Sequence, residues 1–135
     1  LATELASIYG HRVLLENYPK FNNQIVCSSY DWWINNLHLI SPPDQIIIPL
    51  LPFPNMVDPI NQSIISSLRS QSYNWFKEFM FPESFQAIDK AVSPLRKNSG
   101  KLIILDGRIS HRKWGRDMLE MIQPQKTITS MYPFD

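Results

Sequence analysis

The sequence predicts an α/β fold, with an open and mainly parallel β-sheet flanked by helices. Residues 45–51 and 101–106 are apolar on both faces, as in strands buried inside a parallel sheet. Between and after them, apolar side chains recur at about 3.6-residue spacing, which is typical of helices that cover such a sheet. The 135 residues suffice for one domain with a substantial core, so we expect a single domain over residues 1–135.

The first third of the chain predicts one helix, two strands and a second helix. Leu1, Leu5 and Ile8 share a helical face that Gly10 is placed to end. Two short apolar runs, at residues 12–16 and 24–28, predict strands separated by a turn rich in proline and asparagine. The aromatic stretch that follows, residues 30–39, predicts a short helix.

Strands and helices continue to alternate along the rest of the chain. Asp58 as N-cap and Pro59 at the first helical position open a helix predicted to run over residues 58–80. Pro82 is expected to restart a second helix. The remaining predicted elements are the strand at 101–106, a helix at Lys113–Ile122 and a last strand at 127–131.

Composition excludes several classes of protein. The net charge is +1, from 13 basic and 12 acidic residues, so any surface for nucleic acid must be local. The single Cys27 cannot form an internal disulfide and suits a reducing compartment, so we predict a cytoplasmic protein. No apolar run approaches the roughly 20 residues of a membrane span, so we expect no membrane partner. His11, His38 and His111 lack metal-ligand spacing, and we predict no metal site.

The sequence also lacks the parts that hold a nucleoside triphosphate. There is no glycine-rich phosphate-binding loop ending in Lys-Ser/Thr, and no acidic box for magnesium. Nor does any Ser/His/Asp or Cys/His pattern for a nucleophile occur. We therefore expect no cofactor bound by this chain alone.

The most informative motif is Leu-Pro-Phe-Pro at residues 51–54, followed by Asp58 and Pro59. Prolines directly after a buried strand hold the chain rigid at the carboxyl edge of the sheet, where open α/β sheets bind ligands. This segment resembles the second motor domain of the XPD/DinG group of superfamily 2 helicases. The resemblance implies a RecA-like fold of the P-loop NTPase type.

Other motifs agree with this resemblance in order and spacing across residues 1–124. Ile-Leu-Asp-Gly-Arg at 104–108 and Lys-Trp-Gly at 113–115 are similar to the family's Ile-Leu-Asp-x-Arg and Lys-x-Tyr-Gly. Residues 27–33 stand where the family has a small hydroxyl residue and then Phe-Trp-Glu-Gly, although Ile34 and Asn35 replace the last two. The chain begins at Leu1, without methionine and inside a helical pattern. We therefore expect it to be most of a second motor domain excised from a longer protein.

The arginine motif departs from the family pattern, Gln-x-x-Gly-Arg-x-x-Arg. One register matches Gln86 and Lys90 but places Asp89 at the glycine and Ser93 at the second arginine. The other register retains only Arg96. Neither provides two arginines, and lysine lacks the planar bidentate fork of arginine.

By resemblance, Arg96 is the candidate catalytic arginine finger, and Gln86, Lys90 and Arg96 are the candidate nucleotide contacts. Such a finger stabilises charge on the transferred phosphoryl group. Pro94 is expected to break the helix that should hold it. The alternative is that Arg96 is a solvated loop cation.

Nucleic-acid contacts are predicted at two places. Arg108, Arg112 and Lys113, with His111 and Arg116 nearby, form a basic cluster at the end of a strand, where a polyanion could lie; the alternative is a solvated helix face. Trp33, next to Trp32, is a candidate for stacking on a base; the alternative is that both tryptophan rings pack in the hydrophobic core. The candidate nucleic-acid residues, with Ser29 added by resemblance, are Ser29, Trp33, Arg108, Arg112 and Lys113.

The resemblance implies an ATP-dependent DNA helicase. Its expected partners are single-stranded nucleic acid, DNA in the first instance, and a first motor domain that binds most of the ATP and magnesium. The rival hypothesis is a decayed, non-catalytic helicase domain that serves as a nucleic-acid-binding or protein-interaction module.

Overall fold

The chain contains two separate pairs of parallel strands in the computed structural model, which describes residues 13–15 and 25–124. Strand β1 (Val13–Leu15) pairs with β2 (Ile25–Cys27), and β3 (Gln45–Ile48) pairs with β4 (Lys101–Ile104). This arrangement confirms the predicted mixture of helices and parallel strands. The strands predicted at 12–16 and 24–28 are both present with shorter bounds.

Five α-helices connect and flank these strands within the described residues: α1 (Tyr30–Asn35), α2 (Pro59–Ser70), α3 (Phe81–Asn98), α4 (Arg108–His111) and α5 (Lys113–Ile122). A 3-10 turn, Leu37–Leu39, follows α1, and a π-helical turn, Phe76–Met80, precedes α3. The bounds predicted for α5 are confirmed. The first helix, predicted from Leu1, and the strand predicted at 127–131 lie outside the described residues.

The prediction that residues 45–51 form a strand buried on both faces is wrong for the described part of the chain. Ile48 is buried and Ile46 packs against the core, but Ile47 between them is 51% exposed. Helix α3 covers one face of the β3–β4 pair, and no described helix shields Ile47. Strand β3 also ends at Ile48 rather than at residue 51, because Pro49 has no N–H to continue the ladder.

The helix predicted over residues 58–80 is interrupted, which is a second correction. Asp58 caps α2 as expected, with its Oδ1 accepting a hydrogen bond from the backbone N–H of Ile60 at 2.8 Å. The helix then ends at Ser70, and Ser72 takes a left-handed conformation with φ 61°. Asn74 opens the next helical segment, since its side chain accepts from the N–H of Lys77. The polar run at 70–74 favours a turn over a continuous helix.

Neither proline of the second helix breaks it. The α-helix predicted to start at Pro82 is confirmed and begins at Phe81, with Pro82 in its first turn; the N–H of Phe81 donates to the carbonyl of Phe76, so the π turn runs directly into α3. The helix also continues through Pro94 to Asn98. The carbonyl of Lys90, which Pro94 cannot satisfy, instead accepts a hydrogen bond from Ser93 Oγ at 2.8 Å.

One hydrophobic core joins β3, the proline-rich loop after it, and helices α3, α4 and α5. Its buried members are Ile48, Leu51, Ile88, Val92, Leu95, Ile109, Met118 and Ile122. Burying one such side chain contributes about 1.5–3 kcal/mol. At Gly115, a β-carbon would lie 1.8 Å from the carbonyl oxygen of Ile109, so only glycine lets α5 begin against α4. The core thereby fixes the chain that follows β4.

Candidate nucleic-acid interface

Asp106 joins the two segments that leave the carboxyl ends of β3 and β4. Its side chain is nearly fully buried, and its Oδ2 accepts a hydrogen bond from the N–H of Leu51 at 2.9 Å. Its Oδ1 accepts from the N–H of Arg108 at 3.1 Å. A backbone bond from Leu105 to Ile48, 2.9 Å, lies beside this junction. The Leu-Pro-Phe-Pro segment and the Asp-Gly-Arg segment are therefore held together at the carboxyl ends of β3 and β4.

The Arg108 guanidinium forms a hydrogen-bonded ion pair with the same carboxylate. Its Nε lies 3.0 Å from both oxygens of Asp106, and its Nη2 lies 2.6 Å from Oδ2. This pairing is the main reason that the pKa of Asp106 falls from 3.8 to about 2; the N–H donors of Leu51 and Arg108 also lower it, and burial opposes them. The same hydrogen bonds raise the pKa of Arg108. Both groups therefore stay charged at neutral pH.

Arg108 also rests on an aromatic cluster, which we define as Phe53, Phe76 and Trp114. The guanidinium carbon of Arg108 lies 5.3 Å from the centre of the Phe53 ring. Phe53 in turn meets Trp114 edge-on, with ring centres 5.0 Å apart, and Phe76 lies 6.1 Å from Trp114. With Arg108 43% exposed, the carboxylate and the rings fix its direction and leave part of the guanidinium open to solvent.

The basic cluster predicted from sequence lies where β4 leads into α5. Arg112 is the N-cap of α5 and Lys113 its first residue, and both are exposed, as are His111 and Arg116. No side chain caps this helix N-terminus. Arg112, Lys113 and Arg116 form no ion pair with any described residue. Cations at the positive end of a helix dipole are unfavourable unless an anion is bound there.

Ser29 and Trp33 belong to α1 and its contact with α3. Ser29 caps α1, since its Oγ accepts from the N–H of Trp32 at 3.3 Å. The indole N–H of Trp33 donates to the carbonyl of Ala91 at 2.8 Å, and the ring lines a hollow of about 260 Å³ with Lys97. The structure therefore places Trp33 against the second half of α3 and away from Arg108.

The three predicted nucleotide contacts lie along α3. Gln86 and Lys90 are exposed and one turn apart. Arg96 is near the end of the helix, with its Nη2 2.6 Å from Asp89 Oδ1 and 3.5 Å from the carbonyl of Ile122.

Arg96 lies near the amino ends of β3 and β4, whereas Arg108 lies beyond their carboxyl ends. The helix that carries it ends next to the amino end of β3, because the N–H of Lys101, just beyond the helix, donates to the carbonyl of Asp44 at 2.9 Å. The chain that follows β4 carries Arg108 away from that end. The structure therefore does not bring the predicted finger and the basic cluster together.

The three predicted nucleotide contacts differ in their surroundings. Gln86 and Lys90 face solvent from a helix, and Arg96 is already paired with a carboxylate. In the described ranges, no three His, Cys, Asp or Glu side chains are grouped so that they could hold a metal ion. No described helix is long and apolar enough to cross a membrane.

Asp106 and Phe53 are the site residues that the sequence prediction missed. The Asp-Gly-Arg spacing at the end of an apolar strand is a signal for Asp106, since a carboxylate two residues before an arginine can orient it. No sequence signal places the Phe53 ring under Arg108. No protein-family model matches the sequence, and no curated protein or solved structure is significantly similar to it.

Proposed function

We propose that the basic cluster beside β4 binds the phosphate backbone of single-stranded nucleic acid. The observation that carries the proposal is the exposure of Arg108, Arg112 and Lys113 next to a helix N-terminus that no side chain caps. Phosphate groups would neutralise the unpaired cations and interact favourably with the positive end of the α5 helix dipole.

Within this interface the residues have different roles. Arg108 is held by Asp106 and Phe53, so its exposed edge keeps one direction and orients a phosphate. Arg112 and Lys113 act mainly as charges that attract the backbone, without reading sequence. Binding should therefore be tolerant of sequence and strongly dependent on salt.

The wider role proposed for the chain is that of a second, RecA-like motor domain of an XPD/DinG-type helicase, where this surface is half of the single-strand track. The support is that two motifs of the resemblance meet through one hydrogen bond, from Leu51 to Asp106, across 55 residues of sequence. ATP and magnesium would be held mainly by a first motor domain.

A non-catalytic nucleic-acid-binding or interaction module is the second candidate function, and the position of Arg96 favours it. The Arg96 side chain is 49% exposed, paired with Asp89 and remote from the basic cluster. The ATPase rate of a protein that contains this chain and an intact first motor domain distinguishes the two functions. An Arg96 finger predicts a loss of about 10³-fold or more in kcat for Arg96→Ala. In the module, there is no ATPase, or the substitution changes the rate by less than about threefold.

Lys90→Ala is the control for the other register of the arginine motif. If Lys90→Ala lowers the ATPase rate strongly and Arg96→Ala leaves it unchanged, Lys90 takes the position of the arginine finger. If both substitutions are silent in an active ATPase, neither residue is the finger.

Binding of the basic cluster is tested with the double variant Arg112→Ala/Lys113→Ala. Affinity for a labelled oligo-dT of about 20 nucleotides, longer than the usual 4–16 nucleotides of one site, is measured by fluorescence anisotropy over a salt series. We expect weaker binding, and a salt slope lower by about 0.7 for each lost contact. Arg108 is left intact, because its removal would leave the buried Asp106 charge unpaired.

The matched control is Lys97→Ala/Lys101→Ala, which removes the same charge at the other edge of the sheet. It should leave the slope unchanged. If both double variants weaken binding equally, net charge rather than this interface is responsible. No binding by the parent at low salt would refute the proposal.

A further inference from the structure

A cleft of about 590 Å³ opens beside the proline-rich loop, between that loop and helices α1, α2 and α3. Three aromatic side chains line it: Tyr30, Phe53 and Phe79. Pro52 and Pro54 form one wall, and their rings fix the backbone of that wall. Tyr30 is itself anchored, because its hydroxyl donates to the carbonyl of Leu50 at 3.1 Å. The cleft is therefore largely preformed and apolar, and its volume is within the usual 300–1,000 Å³ of ligand sites.

The charge of this cleft is opposite to that of the basic cluster. Asp31 and Glu83 are the only charged side chains among the described residues that line it, and both are exposed. Neither forms an ion pair with any described residue. The cleft would therefore repel a phosphate backbone and attract a ligand that brings its own cations.

An apolar ridge extends the cleft along its outer side. Ile64 lines the cleft, and Ile60, one turn earlier on α2, is 72% exposed. Val57 and Met56, just before the helix, are 77% and 47% exposed. Exposed apolar side chains next to a cleft are typical of interaction sites. Because Met56, Val57 and Ile60 are outside the cleft lining, a ligand that contacts them as well is longer than a small molecule.

We propose that this cleft binds a short, extended peptide segment of a partner protein, rich in proline or leucine and carrying lysine or arginine. Aromatic-lined grooves bind polyproline II segments, which lose little entropy on binding because proline preorganises them. Asp31 and Glu83 select the basic residues of the segment, and Ile60 and Ile64 pack against its apolar residues. The proposal does not use Arg112 or Lys113, although Phe53 both lines the cleft and contacts Arg108.

The test uses the 135-residue chain and a capped, fluorescein-labelled peptide of alternating proline and leucine with an arginine near each end. Anisotropy should report saturable binding of this probe. The same peptide with glutamate in place of both arginines should bind at least about tenfold more weakly, a difference of 1.4 kcal/mol. Arginine amide alone should not compete at matched concentration. Failure of the arginine peptide to bind, equal binding of the two peptides, or full competition by arginine amide would overturn the proposal.

Two variants locate the binding. Asp31→Asn/Glu83→Gln should weaken the arginine peptide about three- to tenfold, since exposed ion pairs contribute only modestly to affinity. The control Asp117→Asn/Glu120→Gln removes the same charge from α5 and should have no effect.

The ridge is tested separately with Ile60→Ser, which changes an exposed side chain and leaves the core intact. It should weaken binding of both peptides by a similar factor. Thermal unfolding by circular dichroism confirms that each variant is folded. Equal effects of the two charge variants, or affinities unchanged by every substitution in the cleft, would place the peptide elsewhere and refute the proposal.

Discussion

Replacing Asp106 with asparagine is expected to destabilise the chain by about 3 kcal/mol, because buried donors lose an acceptor and Arg108 loses its ion pair. Asparagine has nearly the same shape, so the substitution removes the charge and one acceptor without leaving a cavity. Oδ2 of Asp106 accepts from Leu51 and Arg108, and Oδ1 accepts from the backbone N–H and Nε of Arg108, so the NH2 group of asparagine faces a donor in either position. A buried N–H left without an acceptor costs about 1–3 kcal/mol.

The electrostatic part of this loss follows from the pKa of Asp106. A fall from 3.8 to about 2 corresponds to roughly 2 kcal/mol, at 1.36 kcal/mol per pKa unit. This figure is an upper bound, because the paired Arg108 side chain is 43% exposed and solvent screens it. Between these pKa values the unfolded chain binds more protons than the folded one, so stability from Asp106 is complete above about pH 5 and declines as the pH falls toward 2.

The assay is urea unfolding followed by circular dichroism at pH 7 and pH 3, for the parent chain and Asp106→Asn. The difference in unfolding free energy should be largest at pH 7 and narrow by about 1 kcal/mol at pH 3. Asp117→Asn, an exposed carboxylate on α5, serves as control and should shift stability by less than about 0.5 kcal/mol. A loss below about 1 kcal/mol at pH 7, or a difference that does not change with pH, would refute the assigned role of the carboxylate.

Three further substitutions test the packing around the site, each by the same unfolding assay. Gly115→Ala should cost about 3 kcal/mol or more, because the new β-carbon would meet the backbone of Ile109; a neutral effect would contradict the close approach of α4 and α5. Ser84→Ala should be neutral or stabilise by about 1 kcal/mol, since the fully buried Ser84 hydroxyl has no hydrogen-bond partner among the described residues; a large loss would reveal a partner. Asp58→Ala should cost about 1 kcal/mol through the lost cap of α2, and no loss would mean that the helix start does not depend on Asp58.

Local features of the site region could be predicted from the sequence because they depend on neighbours along the chain. Asp58 followed by Pro59 defines a helix start by side-chain capping and a preset φ, and the structure has α2 begin there. The apolar spacing of Lys113–Ile122 likewise predicts α5. The basic residues from Arg108 onward follow β4 directly, so their common position after that strand is a consequence of order alone.

The tertiary structure decided which of these groups meet. The bond from Leu51 to Asp106 joins segments 55 residues apart, and no periodicity encodes such a contact. Arg96 lies near the amino ends of the strands because α3 continues through Pro94. The helix can continue because Ser93 Oγ donates to the Lys90 carbonyl, and the general preference of proline to break helices does not predict this hydrogen bond. Composition and spacing determine which elements form, but the packing of those elements determines which side chains share a site.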